Sequence, residues 1–363
     1  MRMRWALPGV VAAVGLLLAD VAAGAAGPAP KIKGKPLFRW IGQLTGSNRG
    51  LQMRAARALS GAPETARPKI IEALIPILKS DRQNDRFAAA QVVGNFGPAA
   101  KAAVPALLPM LKGTQFERNR AGAAKALGLI LKDSKPSEEI DAVTAELIRL
   151  FRDKYSDARR EAVRACGVIG PATKAFLPHV VPLLQEHKPG VDKYEGYHVR
   201  LDAAWAVARM GPHARMHIDV LISLLHSDGR VNPHVPEAIG CIGAIHENVV
   251  PNIVDWLEKM GRDWRHSAAS KMAAWVALEK FGAKSAPAVP LLARYLREDV
   301  GTAEPPELFL QWFKVLRAIG PKAREALPGL TKWAGVTRAP RGWTKDKLAE
   351  VRKAAAATME ELK

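Results

Sequence analysis

A glycine followed eight residues later by a proline recurs along this chain and sets the length of its structural unit. The phrase reads FGPAAKAAVPALLPML at 96–111, IGPATKAFLPHVVPLL at 169–184 and IGPKAREALPGLTKWA at 319–334. The glycines that carry it are Gly97, Gly170, Gly243, Gly282 and Gly320. Gly211 keeps the frame but lacks the proline. A phrase that returns at roughly 20–50 residues is typical of stacked-repeat proteins.

Each glycine is preceded by a segment with the periodicity of a half-buried helix. A basic residue stands eleven positions before the glycine at Arg86, Arg159, Arg200 and Lys271, and Arg120 leads a unit that has lost the glycine. Small residues follow this basic residue at three and four positions, and aliphatic residues at six, seven and ten. A second apolar helix follows the Gly-Pro turn. Such a pair of helices buries its apolar face only when it stacks on similar pairs.

The pattern predicts an all-α fold, a right-handed alpha-alpha superhelix (alpha-solenoid) of about eight helical hairpins with helical caps. We expect a linker and an amino-terminal capping helix in 26–48, repeats over 49–335 and a carboxy-terminal capping helix in 336–363. The first cap is predicted as a helix over 35–44. No segment shows a strand pattern, so no strands are expected.

These units resemble HEAT repeats, the hairpin units of armadillo-like helical proteins. The resemblance implies that the leading basic residues and an upstream aspartate tie neighbouring repeats together, which gives Arg86, Arg120, Arg159 and Arg200 structural roles. It also implies a fold that hosts many functions, so it does not identify a partner. The matching features are Val199-Arg200 before a small-residue helix, Asp153 six positions before Arg159, AAKALG at 123–128 and ARALSG at 56–61.

The first residues predict export. Arg2 and Arg4 precede an apolar run, and Ala23-Gly24-Ala25 fits a cleavage site. The apolar run is shorter than the ~20 residues that a membrane-spanning helix needs. We therefore expect 1–25 to be a signal peptide and the protein to be periplasmic or extracellular. An uncleaved anchor helix is the alternative.

Charge and cysteine content bound the partner and the redox chemistry. The chain has 54 Lys and Arg against 35 Asp and Glu, a net charge of +19, which favours anionic partners. Its two cysteines, Cys166 and Cys241, are predicted to lie two repeats apart, roughly 20 Å. A disulfide needs α-carbons within about 7 Å, so both are expected to be free thiols.

Motifs for catalysis or cofactors are missing from the sequence. It contains no CxxC, GxSxG, GxxxxGK[ST] or HExxH. Some HEAT-like enzymes hold iron through several His-Glu dipeptides, and here only His246-Glu247 occurs. His213 and His217 have the spacing of a metal-ligand pair on a helix, but solvated histidines on a helix edge are the simpler interpretation. We therefore predict no enzyme activity, no cofactor and no metal site.

A second feature is the segment WLEKMGRDWRH at 256–266, which interleaves Trp256 and Trp264 with basic residues. Such segments can bind nucleic acid or sugar chains. Packing of the tryptophans inside the fold is the simpler interpretation.

The candidate binding residues follow from helix geometry. Positions two, five and nine after the leading basic residue point away from the apolar side, within about 60° of one another. In HEAT-like solenoids this helix lines the concave surface, so these residues would form a basic row. The row is Arg54, Arg57, Gln91, Asn95, Lys125, Arg164, Trp205, Arg209, His234, Lys280 and Lys314.

The sequence thus predicts an exported scaffold that binds a protein or peptide with an anionic surface in this row. The alternative is a binder of anionic polymer, either envelope polysaccharide or nucleic acid. The predicted export disfavours nucleic acid, and with it a HEAT-like DNA glycosylase.

Overall fold

The computed structural model describes residues 30–112, 116–185, 193–227, 233–243, 246–260, 268–298 and 305–363. The chain divides into two compact units, Met1–Ala206 and Val207–Lys363. Each unit is built from stacked helix pairs, which confirms the predicted all-α solenoid of HEAT-like hairpins. The predicted signal peptide lies outside the described residues. None of the helices in these residues combines the length and the apolar character of a membrane-spanning segment.

The first unit begins with a small hairpin and a capping helix, and four helix pairs follow before a helix that ends in the second unit. The strands are β1 (Lys31–Ile32) and β2 (Lys35–Pro36). The helices are α1 (Leu37–Leu44), α2 (Arg49–Ser60), α3 (Arg67–Leu78), α4 (Gln83–Asn95), α5 (Val104–Leu107), α6 (Glu117–Ile130), α7 (Glu138–Leu150), α8 (Ser156–Ile169), α9 (Leu177–Leu184) and α10 (Lys193–Met210).

The second unit continues the same alternation and closes with a long helix. Its helices are α11 (Ile218–Ser227), α12 (His234–Ile242), α13 (Val249–Met260), α14 (Ala268–Phe281), α15 (Val289–Glu298), α16 (Pro306–Ile319), α17 (Leu327–Ala334) and α18 (Lys345–Leu362). Short 3₁₀ segments, such as Gly282–Ala288 and Gly320–Ala326, join the two helices of a pair. The last helix starts at an N-cap in which Thr344 Oγ1 accepts a hydrogen bond from the amide of Lys347.

The amino-terminal hairpin corrects the expectation of no strands and of a helix from residue 35. Lys31 pairs with Pro36 and Ile32 with Lys35. The two residues between the strands, Lys33 and Gly34, both have positive φ (49° and 73°), as a tight two-residue turn requires. Strands of two residues are too short to show a period, so the sequence pattern could not predict them.

The repeated glycines end the first helix of a pair in a backbone conformation that other residues avoid. Their φ values lie between 53° at Gly211 and 99° at Gly243, the region that a Cβ disfavours. The unit that lacks the glycine uses Asp133 instead, with φ of 53°. Aspartate tolerates this region better than most residues, which explains how a degenerate unit keeps the turn.

A second set of glycines brings the first helices of successive pairs into close contact. Each lies eight positions after the leading position of its helix. Each faces an alanine on the first helix of the next pair. A Cβ at Gly94 would lie 2.9 Å from Cα of Ala126, and one at Gly128 would lie 2.8 Å from Cα of Ala165. The remaining contacts are Gly167 with Ala206 and, in the second unit, Gly240 with Ala277.

A buried ion pair ties the third pair of helices to the fourth. Arg120 Nε and Nη2 donate to Asp153 Oδ2 and Oδ1 at 2.6 and 2.9 Å, and Arg159 Nη1 donates to the carbonyls of Asp153 and Lys154. Burial opposes the charge of Asp153. Even so, the hydrogen bonds from Arg120 and from the amide of Tyr155, with the charges of both arginines, hold its pKa below the ordinary value.

The other leading basic residues also point inward. Arg86 Nη1 donates to the carbonyl of Ser80 at 2.6 Å, Arg200 is half-buried, and Lys271 in the second unit is buried. The leading residues therefore belong to the packing of the repeats, as the resemblance implied.

An aromatic cluster lies in the core of the second unit. The rings of Trp275, Trp312 and Tyr295 lie with centroids 5.4–6.5 Å apart. Phe309 contacts Trp312 at 4.9 Å and Trp333 at 4.2 Å. These distances are those of favourable edge-on and tilted aromatic pairs.

Close helix contact makes one glycine substitution informative. Gly128→Ala is expected to lower the free energy of unfolding by about 1–3 kcal/mol, because the added methyl group overpacks the contact with Ala165. Gly42→Ala is the matched control: this exposed helical glycine has no atom within 4 Å of an added Cβ, and alanine there should stabilise by up to about 1 kcal/mol. Denaturant unfolding followed by circular dichroism measures both. Equal effects would contradict the contact.

Asp85 is a buried carboxylate where the cap meets the first two repeats. Gln52 Nε2 donates to its Oδ1 at 3.3 Å, whereas Oδ2 lies 3.6 Å from Arg82 Nε and has no hydrogen-bond partner among the described atoms. Burial raises the pKa of Asp85 to about 6, against the opposing charge of Arg82.

The raised pKa of Asp85 predicts a pH-dependent stability. The folded state binds the proton more tightly than the unfolded state, so the free energy of unfolding should fall as pH rises from about 4 to 7, by up to about 3 kcal/mol. Asp85→Asn should remove this dependence, whereas Asp81→Asn, at an exposed neighbour, should leave it. Denaturant midpoints across the range measure it. An unchanged pH profile in Asp85→Asn would contradict the assignment.

Candidate functional site

The residues of the predicted row lie on the accessible side of their helices. Most are exposed, and two are half-buried, Trp205 and His234. Where a helix carries two of them, buried alanines or valines stand between, such as Ala55 in α2, Val92 in α4 and Val207 in α10. The helix periodicity therefore separates these positions from the packing face, as expected for one-sided helices.

Four residues of the row meet in one open groove of the first unit. Arg57, Gln91, Asn95 and Lys125 line a groove of about 340 Å³ that also contains Met53. They come from α2, α4 and α6, the first helices of three successive pairs. Because Gly94 packs against Ala126, the helices approach closely enough for their side chains to share one groove.

The chemistry of this groove is cationic and amide-rich. No acidic side chain among the described residues lines it, and Asn95 Nδ2 donates a hydrogen bond to Ser60 Oγ at 3.0 Å. Arg57 and Lys125 provide positive charge, while Gln91 and Asn95 can each donate and accept hydrogen bonds. The groove can therefore hold an anionic group and a polar main chain side by side.

Two further basins adjoin this groove at Met53, which contributes to all three. One, of about 270 Å³, is lined by Arg49, Gln52 and Arg118 among others. The predicted row did not include these residues, although the charges of Arg49 and Arg118 were visible in the sequence.

The other basin, of about 540 Å³, is lined by Lys33 and Lys35 of the hairpin together with Arg54. Of these only Arg54 was in the predicted row. The two lysines could not be placed from the sequence, because the hairpin that positions them gave no strand pattern.

Beyond the third pair, acidic residues neutralise the row. Arg164 Nη1 lies 3.4 Å from Asp202 Oδ1, and Arg160 Nε donates to Asp202 Oδ2 at 2.9 Å. Burial raises the pKa of Glu161, on the same helix, and the charges of Lys125, Arg164 and Arg160 lower it less strongly. Trp205 packs its ring over Gly167, where a Cβ would meet its Cζ3 at 2.6 Å. The basic character is therefore concentrated in the first three pairs.

The row residues of the second unit form a mixed group. His234 Nδ1 is hydrogen-bonded to Glu237 Oε2 at 2.5 Å. This bond, with the charges of His234, Lys280 and Arg209, holds the pKa of Glu237 below its ordinary value, although burial opposes it. Lys280 Nζ lies 3.7 Å from Cys241 Sγ. Lys314 is exposed on α16.

Both cysteines are free, as predicted. Cys166 is fully buried, and burial raises the pKa of its thiol far above the ordinary value. Cys241 is half-buried.

The histidine pair is not the solvated helical pair that the sequence suggested. His213 is exposed, whereas His217 is buried, with no hydrogen-bond partner at Nε2 among the described atoms. Burial lowers the pKa of His217. Both lie in the 3₁₀ segment Gly211–His217, where three residues make a turn and residues four apart do not align. Among the described residues, no group of side chains is arranged to hold a metal ion.

The described part of the segment 256–266 is packed inside the fold. Trp256 is buried in the second unit, with 2% of its surface exposed. Trp264 and the arginines beside it lie outside the described residues.

A comparison with protein families finds HEAT repeats in part of this chain. Residues 39–128 match the family model for HEAT repeats. No curated protein matches the chain. This match spans most of the capping helix α1, all of α2 and α4, and most of α6. The basic groove lies between α2, α4 and α6.

Solved structures of similar fold are karyopherins. Importin beta in an ammonium sulfate condition superposes with a TM-score of 0.65 and 14% identity over 99% of this chain and 52% of its own. Kap95p, whose structure concerns binding to RanGDP, gives 0.62 and 12% over 100% and 52%. Kap121p bound to Nup53p gives 0.59 and 14% over 90% and 39%. The chain thus spans about half or less of these proteins, and the likeness concerns the fold.

Proposed function

Starting from the HEAT-repeat solenoid fold of this chain, we propose that it is a non-catalytic scaffold that binds a protein or peptide with an anionic surface. The observation that carries this proposal is the groove shared by Arg57, Gln91, Asn95 and Lys125, which contains no acidic side chain. A solenoid aligns equivalent side chains of successive repeats, so their fields add at one surface.

Proteins of similar fold have been solved with protein partners bound. Kap121p, for example, has been solved bound to Nup53p and to Pho4p. The present chain differs from a generic scaffold by its net charge of +19. A scaffold with this charge is suited to partners of opposite sign, whose association it would also accelerate.

Export is the second part of the proposal. A positive start, an apolar run and small residues at 23–25 form the pattern of a cleaved signal peptide. The partner would then be a protein of the cell envelope or the extracellular space.

Charge reversal in the groove should weaken partner binding. The double variant Arg57→Glu/Lys125→Glu is expected to lose about tenfold or more in affinity, because two attractive contacts become repulsive. Wild-type binding should also weaken as salt rises, since exposed charges are screened beyond about 8 Å at physiological ionic strength. Quantitative capture from the native envelope fraction, followed by titration of the captured protein, measures both effects.

The matched control is Lys112→Glu/Lys174→Glu. These lysines are exposed in the same unit but do not line the groove, and the change in net charge is identical. Partner binding should be nearly unchanged in this variant. If both double variants lost affinity equally, net charge alone would account for binding and the groove would have no special role.

Export can be checked without knowing the partner. Amino-terminal sequencing of the protein from its native source should give a start near residue 26, after Ala25. Replacing Ala23 and Ala25 with bulky residues should leave a longer, unprocessed chain, because cleavage sites require small residues. A native protein that begins at Met1 would contradict cleavage.

A further inference from the structure

We infer that the segment bound by the groove is an acidic linear peptide with an apolar side chain that packs on Met53. This inference rests on the proposed scaffold function and specifies the chemistry of the partner. It concerns the groove and the two basins that share Met53, all within the first unit.

Met53 is the apolar centre of this surface. It is 60% exposed on α2, more than Leu51 at 41%, whereas Ala55, Ala58 and Leu59 of the same helix are buried. A methionine side chain is flexible and polarizable, so it adapts to apolar side chains of different shape. Ala56 and Phe87 extend the apolar surface beside it.

Cations line both basins that flank this apolar centre. Arg49 and Arg118 line one basin and Lys33, Lys35 and Arg54 the other. No acidic side chain lines the groove or either basin. An apolar anchor flanked by carboxylates would therefore meet complementary surface at its centre and at both ends.

The amide side chains favour a peptide over a polyanionic polymer. Gln52, Asn84, Gln91 and Asn95 line the groove and one basin. Each carboxamide offers a donor and an acceptor, and each peptide unit also offers both. A sulfated sugar chain would satisfy the cations but would leave the exposed thioether without an apolar partner, and the phosphates of a nucleic acid would not match the donor and acceptor pairs of the amides.

The amino-terminal segment of this chain does not have the required chemistry. Its only charged residues before Lys31 are Arg2, Arg4 and Asp20. A segment with more positive than negative charge would be repelled by the basins, so the fitting occupant is an acidic segment of another protein.

Selection from a displayed library of random linear peptides, with the full chain as bait, tests this inference. We expect enriched peptides to contain several Asp or Glu residues and at least one large apolar residue. An enriched peptide, synthesised with a fluorophore, should bind about tenfold more tightly than the same peptide with its apolar residue replaced by serine. That preference should largely disappear in Met53→Gln.

Met216→Gln is the matched control, since Met216 is 70% exposed but lines neither the groove nor its basins. It should retain the full preference. No enrichment, enrichment of basic or charge-free peptides, or equal binding of the serine peptide would overturn the inference. So would a single-stranded oligonucleotide or sulfated oligosaccharide that competes at equal charge and binds Met53→Gln unchanged.

The outcome separates the inference from the proposed function. If Arg57→Glu/Lys125→Glu abolishes capture of the native partner while Met53→Gln leaves its affinity unchanged, the scaffold function stands and the apolar anchor is wrong. If neither substitution affects capture, both are wrong.

Discussion

Close contact between glycine and alanine on successive first helices is the constraint on which the rest of the structure depends. Gly94 on Ala126 and Gly128 on Ala165 leave no room for a Cβ. This contact places the first helices near the lower end of the usual packing distance. Residues that flank the contact, such as Gln91 and Lys125, consequently lie side by side at the surface. The groove is thus a consequence of the packing, and no separate element builds it.

The basic residues of the chain serve two different purposes, according to which side of the first helix they occupy. Arg120 and Arg159 point inward and bond to Asp153 and to backbone carbonyls. An arginine is suited to this task because its planar guanidinium can bond a carboxylate at two points. Removing one partner of such a pair would cost several kcal/mol, roughly 3–5, since a buried charge would remain unpaired. Arg57 and Lys125 face the groove instead, where charge is available for recognition.

The distribution of acidic residues then decides where the outward charge is effective. Asp202 engages Arg160 and Arg164, and Glu237 engages His234. No acidic side chain of α2, α4 or α6 lines the groove. The carboxylate of Asp85 on α4 is buried instead. Burial also raises the pKa of Asp85. Its carboxylate is enclosed between the cap and the repeats, where solvent does not stabilise its charge.

The sequence alone was enough to predict the repeat, because the spacing of Gly97, Gly170 and the later glycines is a local requirement of each turn. It also determined which residues face outward, since helix periodicity depends only on position along the chain, and that the two cysteines do not pair. Which outward cations are neutralised became clear only from the packed fold, because Arg164 and Asp202 are distant in sequence. The same holds for the hairpin that carries Lys33 and Lys35 and for the meeting of three basins at Met53. These features depend on contacts between repeats, and no pattern within one repeat encodes them.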